Sequence, residues 1–354
     1  MKVLYVTTVG ITMMFFKSFI KKLIDEGHSV DIATNDTGSQ VDDFYREIGC
    51  NIITLSCSRS PFKKGNFKAI KEIRALVKTN KYDIVHCHTP IAAMCTRLAC
   101  RKFRKKGLKV VYTAHGFHFY KGAPLKNWLI YYPIEKLCSY FTDVLITINR
   151  EDYDLAKRKL KAKKIEYVPG VGIDIDRFMG VEVDKETKRR EIGVPKDATM
   201  ILSVGELNEN KNHKVVINAI SKIENESIYY VIAGEGNLRG SLINLAKQLG
   251  VDNKVILLGY RRDVVELCKS ADMYIHPSYR EGLPVALMEA VACGIPCMAS
   301  NIRGCNDLLS NSLFAPNDVN AIIDIIKSGG EKAYIDSRFS KDSVNAKLME
   351  IYGG

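Results

Sequence analysis

Glu281 and Glu289 stand eight residues apart in the stretch HPSYREGLPVALMEAVACGIP, residues 276–296. Gly282, Leu283 and Pro284 separate the first Glu from an Ala-rich apolar run. Proline suits the first turn of a helix, where its missing N–H costs nothing. The pattern therefore predicts a helix that starts near Pro284 and runs through Val285, Met288, Glu289 and Ala292. It should stop at Cys293-Gly294, with Pro296 beyond. Glu281 would then lie in the loop before the helix, with Glu289 about 8 Å further along at ~1.5 Å per residue. A helix N-terminus favours an anion such as phosphate. Carboxylates on either side of an anion site suit a sugar nucleotide, because they accept strong hydrogen bonds from sugar and ribose hydroxyls. The same pattern also reads as a helix with a dipole-favoured Glu at its start and a second, solvated Glu.

Other residues admit chemistry with less pattern behind them. His86 and His88 alternate near a strand end and could share one face, as metal ligands do, but nothing nearby completes a ligand set. His115 lies in a second His- and aromatic-rich strand end, TAHGFHF at residues 113–119. Open parallel sheets bind ligands at such carboxyl ends, and a hydrogen-bonded structural imidazole is the alternative. Gly10 follows the first strand, but TTVGITMMFF lacks the further glycines of a dinucleotide fingerprint. Two D-x-D strings, Asp152/Asp154 and Asp174/Asp176, fall in a Lys/Arg-rich helix and in a linker, and read as chance occurrences. Hydrolase signatures such as G-x-S-x-G are absent.

The full wording EGLPVALMEA closely resembles the E-x7-E motif of family-four retaining glycosyltransferases, which have the two-domain GT-B fold. The resemblance implies that Glu281 contacts the donor sugar and Glu289 the nucleotide ribose, with Gly282, Leu283, Pro284 and Val285 lining the donor site. It places Lys211, in SVGELNENKNH, on the diphosphate, and Glu206 where many members carry a second cation, Arg. Arg261, Arg280 or the Pro284 helix end would have to compensate. It implies that Gly10 faces the substrates, that turns at Gly234 and Gly259-Tyr260-Arg261 shape the nucleotide pocket, and that backbone groups read the base, most commonly uracil. His86-x-His88-x-Pro90 matches a cleft-lining strand end, and His115 a residue beside the donor sugar and leaving phosphate. The segment HGFHFYKGAPLKNWLIYYPIEK resembles a branch that builds bacterial capsule and exopolysaccharide units. His118, Lys121 and Trp128 within it, with His88, are the acceptor-side candidates; an aromatic core face is the alternative for this helix.

The elements that must position these residues alternate strand and helix. Candidate strands are KVLYVTTV, SVDIAT, NIITL, DIVHCH, KVVYTAH, DVLITI and IEYVPG, then TMILSVGEL, YYVIAGEG, KVILLG, MYIHPS and PCMAS. This βαβ rhythm predicts an α/β protein with parallel sheets covered on both faces. Pro169-Gly170-Val171-Gly172 interrupts it, which sets the boundary between a first domain, 1–172, and a second, 173–340. With the resemblance, the expectation is GT-B: two Rossmann-like doubly wound domains facing a cleft, acceptor-side first and nucleotide-sugar-binding second, with a terminal helix, 341–354, packing back on the first.

Composition agrees with a globular chain, 46% hydrophobic and 26% charged. No apolar run reaches the ~18 residues of a membrane span. The apolar start from Val3 to Phe16 lacks a small-x-small cleavage site and reads as strand, turn at Gly10 and helix. Ten cysteines without short paired spacings read as reduced core residues. The net charge of +12 is uneven: residues 1–172 hold 30 Lys and Arg against 15 Asp and Glu, the remainder 22 against 25. Arg97, Arg101, Lys102, Arg104, Lys105 and Lys106 form one basic cluster, and Lys157, Arg158, Lys159, Lys161, Lys163 and Lys164 another. No nucleic-acid motif accompanies them, so an anionic membrane face is the expected partner, with a solvated basic surface as the alternative.

The resemblance, taken with these features, implies a retaining hexosyltransferase that moves sugar from a nucleotide diphosphate, expected to be UDP, to a lipid-linked saccharide. It would need no cofactor and no metal, and would act in the cytoplasm, peripherally on the inner face of the plasma membrane. A nucleotide-sugar epimerase or hydrolase of the same fold, or a non-catalytic binding subunit, is the alternative.

Overall fold

A computed structural model of the chain describes residues 1–37, 40–60, 63–224 and 227–353. The chain divides into two compact units, Met1–Gly172 with Lys341–Gly354, and Ile173–Ser340.

The first unit alternates β1 (Lys2–Val9), α1 (Lys17–Asp25), β2 (Ser29–Asn35), α2 (Phe44–Glu47), β3 (Asn51–Thr54), α3 (Lys64–Asn80), β4 (Ile84–His88), α4 (Pro90–Cys100), β5 (Lys109–Ala114), α5 (Leu125–Ser139), β6 (Val144–Thr147), α6 (Arg150–Lys159) and β7 (Lys164–Tyr167). The strands form one parallel sheet in the order β3-β2-β1-β4-β5-β6-β7. Side chains alternate across its two faces, as the two-residue period demands. Leu4, Val6, Val85, Cys87 and Tyr112 enter one core, and Val3, Tyr5, Ile84 and Val111 the other. Strands buried on both faces read as continuous apolar runs, which is why they stand out in the sequence.

The second unit contains α7 (Ile175–Gly180), α8 (Lys185–Glu191), β8 (Thr199–Val204), α9 (His213–Ile220), β9 (Ile228–Ala233), α10 (Arg239–Gln248), β10 (Val255–Gly259), α11 (Val264–Ser270), β11 (Met273–His276), α12 (Val285–Ala292), β12 (Cys297–Ser300), β13 (Leu313–Phe314) and α13 (Val319–Ser328). Its parallel sheet runs β10-β9-β8-β11-β12-β13. In each unit the strand order reverses once, between β1 and β4 and between β8 and β11. Such switch points place a ligand crevice at the carboxyl ends of the two flanking strands.

The last helix, α14 (Lys341–Gly353), belongs to the first unit. Gly354, the final residue of the expected helix, lies outside the described residues. Tyr352 packs edge-on against Phe19, its hydroxyl lies 2.7 Å from His86 Nδ1, and Lys109 Nζ donates to the Ile351 carbonyl at 2.6 Å.

Two expectations are corrected. The turn at Gly10 is a 3-10 helix, Gly10–Phe16, that runs into α1. The two-residue strand β13 has no apolar run of its own to announce it. Arg97 does not belong to a basic surface: it is fully buried and paired with Glu135, with Nη2 donating to Oε2 at 3.0 Å and the guanidinium 4.2 Å from the Tyr112 ring. Arg104 is likewise engaged, donating to both Asp143 oxygens and to the Tyr140 carbonyl. All ten cysteines are buried and unpaired.

Candidate active site

In the second unit the switch point brings together two of the expected donor residues, Lys211 and Glu281. Lys211 ends a 3-10 turn, Glu209–Lys211, on the loop that leaves β8. The Asn208 side chain caps this turn by accepting from Lys211 N at 3.0 Å. Glu281 lies on the loop that leaves β11. The two loops are tied together: Tyr279 N donates to the Asn210 carbonyl at 2.8 Å, and Asn210 Nδ2 to the Arg280 carbonyl at 2.9 Å. Lys211 Nζ thereby reaches Glu281 Oε1 at 2.7 Å. His276, buried at the end of β11, places Nε2 3.1 Å from the same oxygen and Nδ1 3.3 Å from the Tyr274 hydroxyl.

This cluster sets its own protonation. Burial opposes ionisation of Glu281, yet the His276 hydrogen bond and the Lys211 charge outweigh it and hold the carboxyl well below the usual range. Burial and then the Lys211 charge push His276 down from its ordinary value, so its imidazole is neutral at pH 7. An acceptor carboxylate and a cation thus sit side by side, groups of the kind that receive sugar hydroxyls and phosphate oxygens respectively.

The helix that follows is α12, capped by Pro284 and closed at Cys293 with Gly294 at a φ of +72°. Glu289 lies half-buried on it. Gly282 and Val285 are half-buried and Leu283 and Pro284 buried around its start. Gly234 packs against the β8 loop so closely that a Cβ there would sit 1.9 Å from the Gly205 carbonyl oxygen. Tyr260 is 67% exposed. Arg261 is bound to Asp263 and Glu191, both acids outside the Lys211–Glu281 pair. Glu206 is exposed. His276 was not singled out by sequence reasoning: a lone strand-end His carries no pattern, and its partner appears only when the loop folds back.

In the first unit, β1 and β4 end at a strained point. Thr89, a β-branched residue, has a φ of +62° and is held by Thr8, whose N–H donates to its Oγ1 at 3.1 Å. Gly10 is buried just beyond β1. His88 Nδ1 lies 3.1 Å from His115 Nε2, and Phe16 packs 4.2 Å from the His88 ring. Burial pushes His86 down to about 3 and His115 down to about 4 and lowers His88 as well, so all three are neutral at pH 7. His118 stacks on Tyr131 at 4.4 Å. Trp128 packs edge-on against Phe119, within the aromatic core face of α5. The Lys121 side chain is exposed, and its N–H donates to Glu151.

The D-x-D strings have structural roles. Asp152 is buried and accepts from Phe117 N and Asn149 Nδ2, fixing the segment after His115, while Asp174 caps α7. Among the described residues no group of three His, Cys, Asp or Glu is arranged to hold a metal ion.

Residues 184–341 match the family Glycosyl transferases group 1, and residues 2–149 match Glycosyl transferase 4-like. The chain belongs to this glycosyltransferase family and is a glycosyltransferase. It is 39% identical over 260 residues, 72% of its length and 68% of the relative's, to EpsD of Bacillus subtilis strain 168, a glycosyltransferase by name. It is 28% identical over 316 residues, 86% of its length and 80% of the relative's, to the UDP-Gal:alpha-D-GlcNAc-diphosphoundecaprenol alpha-1,3-galactosyltransferase of Escherichia coli. The crystal structure of Anabaena HepE in complex with UDP superposes with a TM-score of 0.80 over the whole of both chains at 17% identity. The fold is therefore of the GT-B type, built from two Rossmann-like units.

Proposed function

We propose that this glycosyltransferase moves a hexose from a UDP-sugar to a lipid-linked saccharide with retention of configuration, in surface polysaccharide assembly. The Lys211–Glu281–His276 cluster at the β8/β11 switch point carries the reading. On donor binding, Lys211 turns from Glu281 to the diphosphate, and Glu281 accepts from sugar hydroxyls. Glu289 accepts from the ribose hydroxyls. His276 stays neutral and orients the Glu281 carboxylate. In the first unit, the neutral His115 is available as a hydrogen-bonding group for substrate. Front-face displacement through an oxocarbenium-like state needs little side-chain acid–base chemistry. The leaving phosphate takes the acceptor's proton, and the protein contributes positioning and charge stabilisation. No cofactor or metal enters this mechanism.

UDP as carrier is supported by the named donor of the Escherichia coli relative and by the HepE complex, and a lipid diphosphate acceptor by that relative's name. An acceptor of this kind puts the enzyme at the inner, anionic face of a membrane. No helix among the described residues is long and apolar enough to cross a membrane. The first unit exposes Arg101, Lys102, Lys105 and Lys106. The C-terminal end of α5 is tied to this segment through the Arg104–Tyr140 bond, and the helix exposes Leu125 (73%), Leu129 (69%) and Leu137 (56%) together with Lys126 and Lys136. Apolar and cationic side chains on one helix face suit an interfacial contact with anionic lipid.

A thermal-shift series with UDP, UDP-galactose, UDP-glucose and UDP-N-acetylglucosamine tests the donor assignment. At ~100 times Kd, a ligand adds roughly 2.7 kcal/mol of stability, about 5–10 °C for a unit of this size. No shift with any uridine nucleotide contradicts the reading.

A further inference from the structure

Arg303 lies on the turn after β12, in Asn301-Ile302-Arg303-Gly304-Cys305, and is only 6% exposed. A guanidinium has five donors and no acceptor, so one withdrawn from water needs oxygen partners. Arg303 Nε donates to the Glu281 backbone carbonyl at 2.9 Å. The next residue makes a second contact with the same loop. Gly304 has a φ of +78°, and a Cβ there would sit 2.3 Å from the Gly282 carbonyl oxygen and 3.1 Å from Leu283 Cα. Two consecutive residues therefore press on three consecutive residues, Glu281 to Leu283.

The turn that bears them is firm. Cys305 and Leu309 are buried, Leu309 N donates to the Cys305 carbonyl, and Asn301 N donates to the Phe314 carbonyl at 2.7 Å. The loop it supports belongs to neither helix nor strand between Ser278 and Pro284. The Glu281 carboxylate is held by Lys211 and His276, but once Lys211 turns to phosphate that support is halved. Its backbone must then be fixed from elsewhere. We infer that Arg303, seated by Gly304, is a positioning residue for sugar transfer: it sets the Glu281 backbone so that the carboxylate meets the donor sugar. It acts through Glu281 and not on the substrate. This inference rests on the proposed role of Glu281.

The test uses the full chain with R303K, which keeps the charge but replaces the planar Nε donor, with G304A as a second variant, and with E281Q. Amide hydrogen exchange is followed over residues 279–287, and Kd is measured for UDP and for the UDP-sugars named above. In R303K and G304A, exchange in this loop should accelerate at least about tenfold. The gain in affinity from UDP to UDP-sugar should fall by about tenfold, while the UDP Kd stays within about twofold, since the role proposed for Glu281 is toward the sugar, which UDP lacks. The R303K/E281Q double variant should lose no more of that gain than E281Q alone, because the two act on one contact. If R303K is unfolded, G304A carries the same expectations. Unchanged exchange and sugar gain in a folded R303K or G304A overturn the inference, as do fully additive losses in the double variant. If E281Q itself keeps the wild-type sugar gain, the role of Glu281 fails, and the exchange measurement still decides whether Arg303 holds the loop.

Discussion

Replacing Glu281 with Gln removes one charge and almost no volume from the best-defined cluster in the molecule. The Glu281 carboxylate accepts from Lys211 at 2.7 Å and from His276 at 3.1 Å. A hydrogen bond to a charged group contributes roughly 1.5–3 kcal/mol. Losing one such bond to the donor sugar should cost about 10- to 150-fold in kcat/KM. The effect on UDP alone should have the opposite sign or be absent. E281Q frees Lys211 from its carboxylate and removes a negative charge from beside the phosphates, so UDP binding should hold or tighten. E289Q should do the reverse, weakening UDP by about tenfold or more, because the ribose is present in UDP and each ~1.4 kcal/mol is tenfold. Calorimetric titration of UDP and a UDP-sugar into both variants, below their melting temperatures, separates the two. Equal weakening of UDP in E281Q and E289Q refutes the assignment of one Glu to the sugar and the other to the ribose.

Acid should destabilise the first unit before its carboxylates are protonated. His86 is held down to about 3 and His115 to about 4 against an ordinary value near 6.5, so between pH 6.5 and 4 the unfolded chain binds protons that the folded chain does not. Stability then falls by ~1.4 kcal/mol per pH unit for each His, and urea unfolding of H115N should show a shallower pH dependence than wild type; an unchanged slope contradicts the burial argument. In flotation with anionic vesicles, replacing Arg101, Lys102, Lys105 and Lys106 by Gln should reduce binding, at about 1 kcal/mol per charge near the surface, and so should salt. Equal flotation of wild type with neutral and anionic vesicles removes the membrane proposal. R97Q should instead unfold the first unit at lower denaturant, since breaking a buried pair costs roughly 3–5 kcal/mol; a wild-type unfolding midpoint would mean that the pair contributes little. Transfer should persist in EDTA, and a loss that added metal rescues would show a required ion.

Much of the fold is legible along the chain because parallel strands buried on both faces are written as apolar runs, from KVLYVTTV to PCMAS. The helix at Val285–Ala292 was legible for a different reason, since Pro284 and Gly294 mark its ends chemically. β13 escaped because two residues carry no period. Arg97 escaped because a charge in a basic run reads as solvated, and its partner Glu135 lies 38 residues on. The same holds within the site. Glu281 and Lys211 belong to motifs, whereas His276 and Arg303 have meaning only through loops that adjacent strands bring together. The departure at Glu206 was visible, but that Arg261 is committed to Glu191 and Asp263 was not.

Product analysis separates sugar transfer with retention from hydrolysis or epimerisation of the donor. A UDP-sugar labelled in the sugar is incubated with the protein in the presence and absence of GlcNAc-diphospho-undecaprenol and related lipid-linked saccharides, and the products are separated and their anomeric configuration read by NMR. Label should be transferred to the lipid-linked saccharide with the donor's configuration retained, with no comparable loss of donor in the absence of acceptor. Free or epimerised sugar formed without acceptor, or transfer with inversion, would contradict retaining transfer.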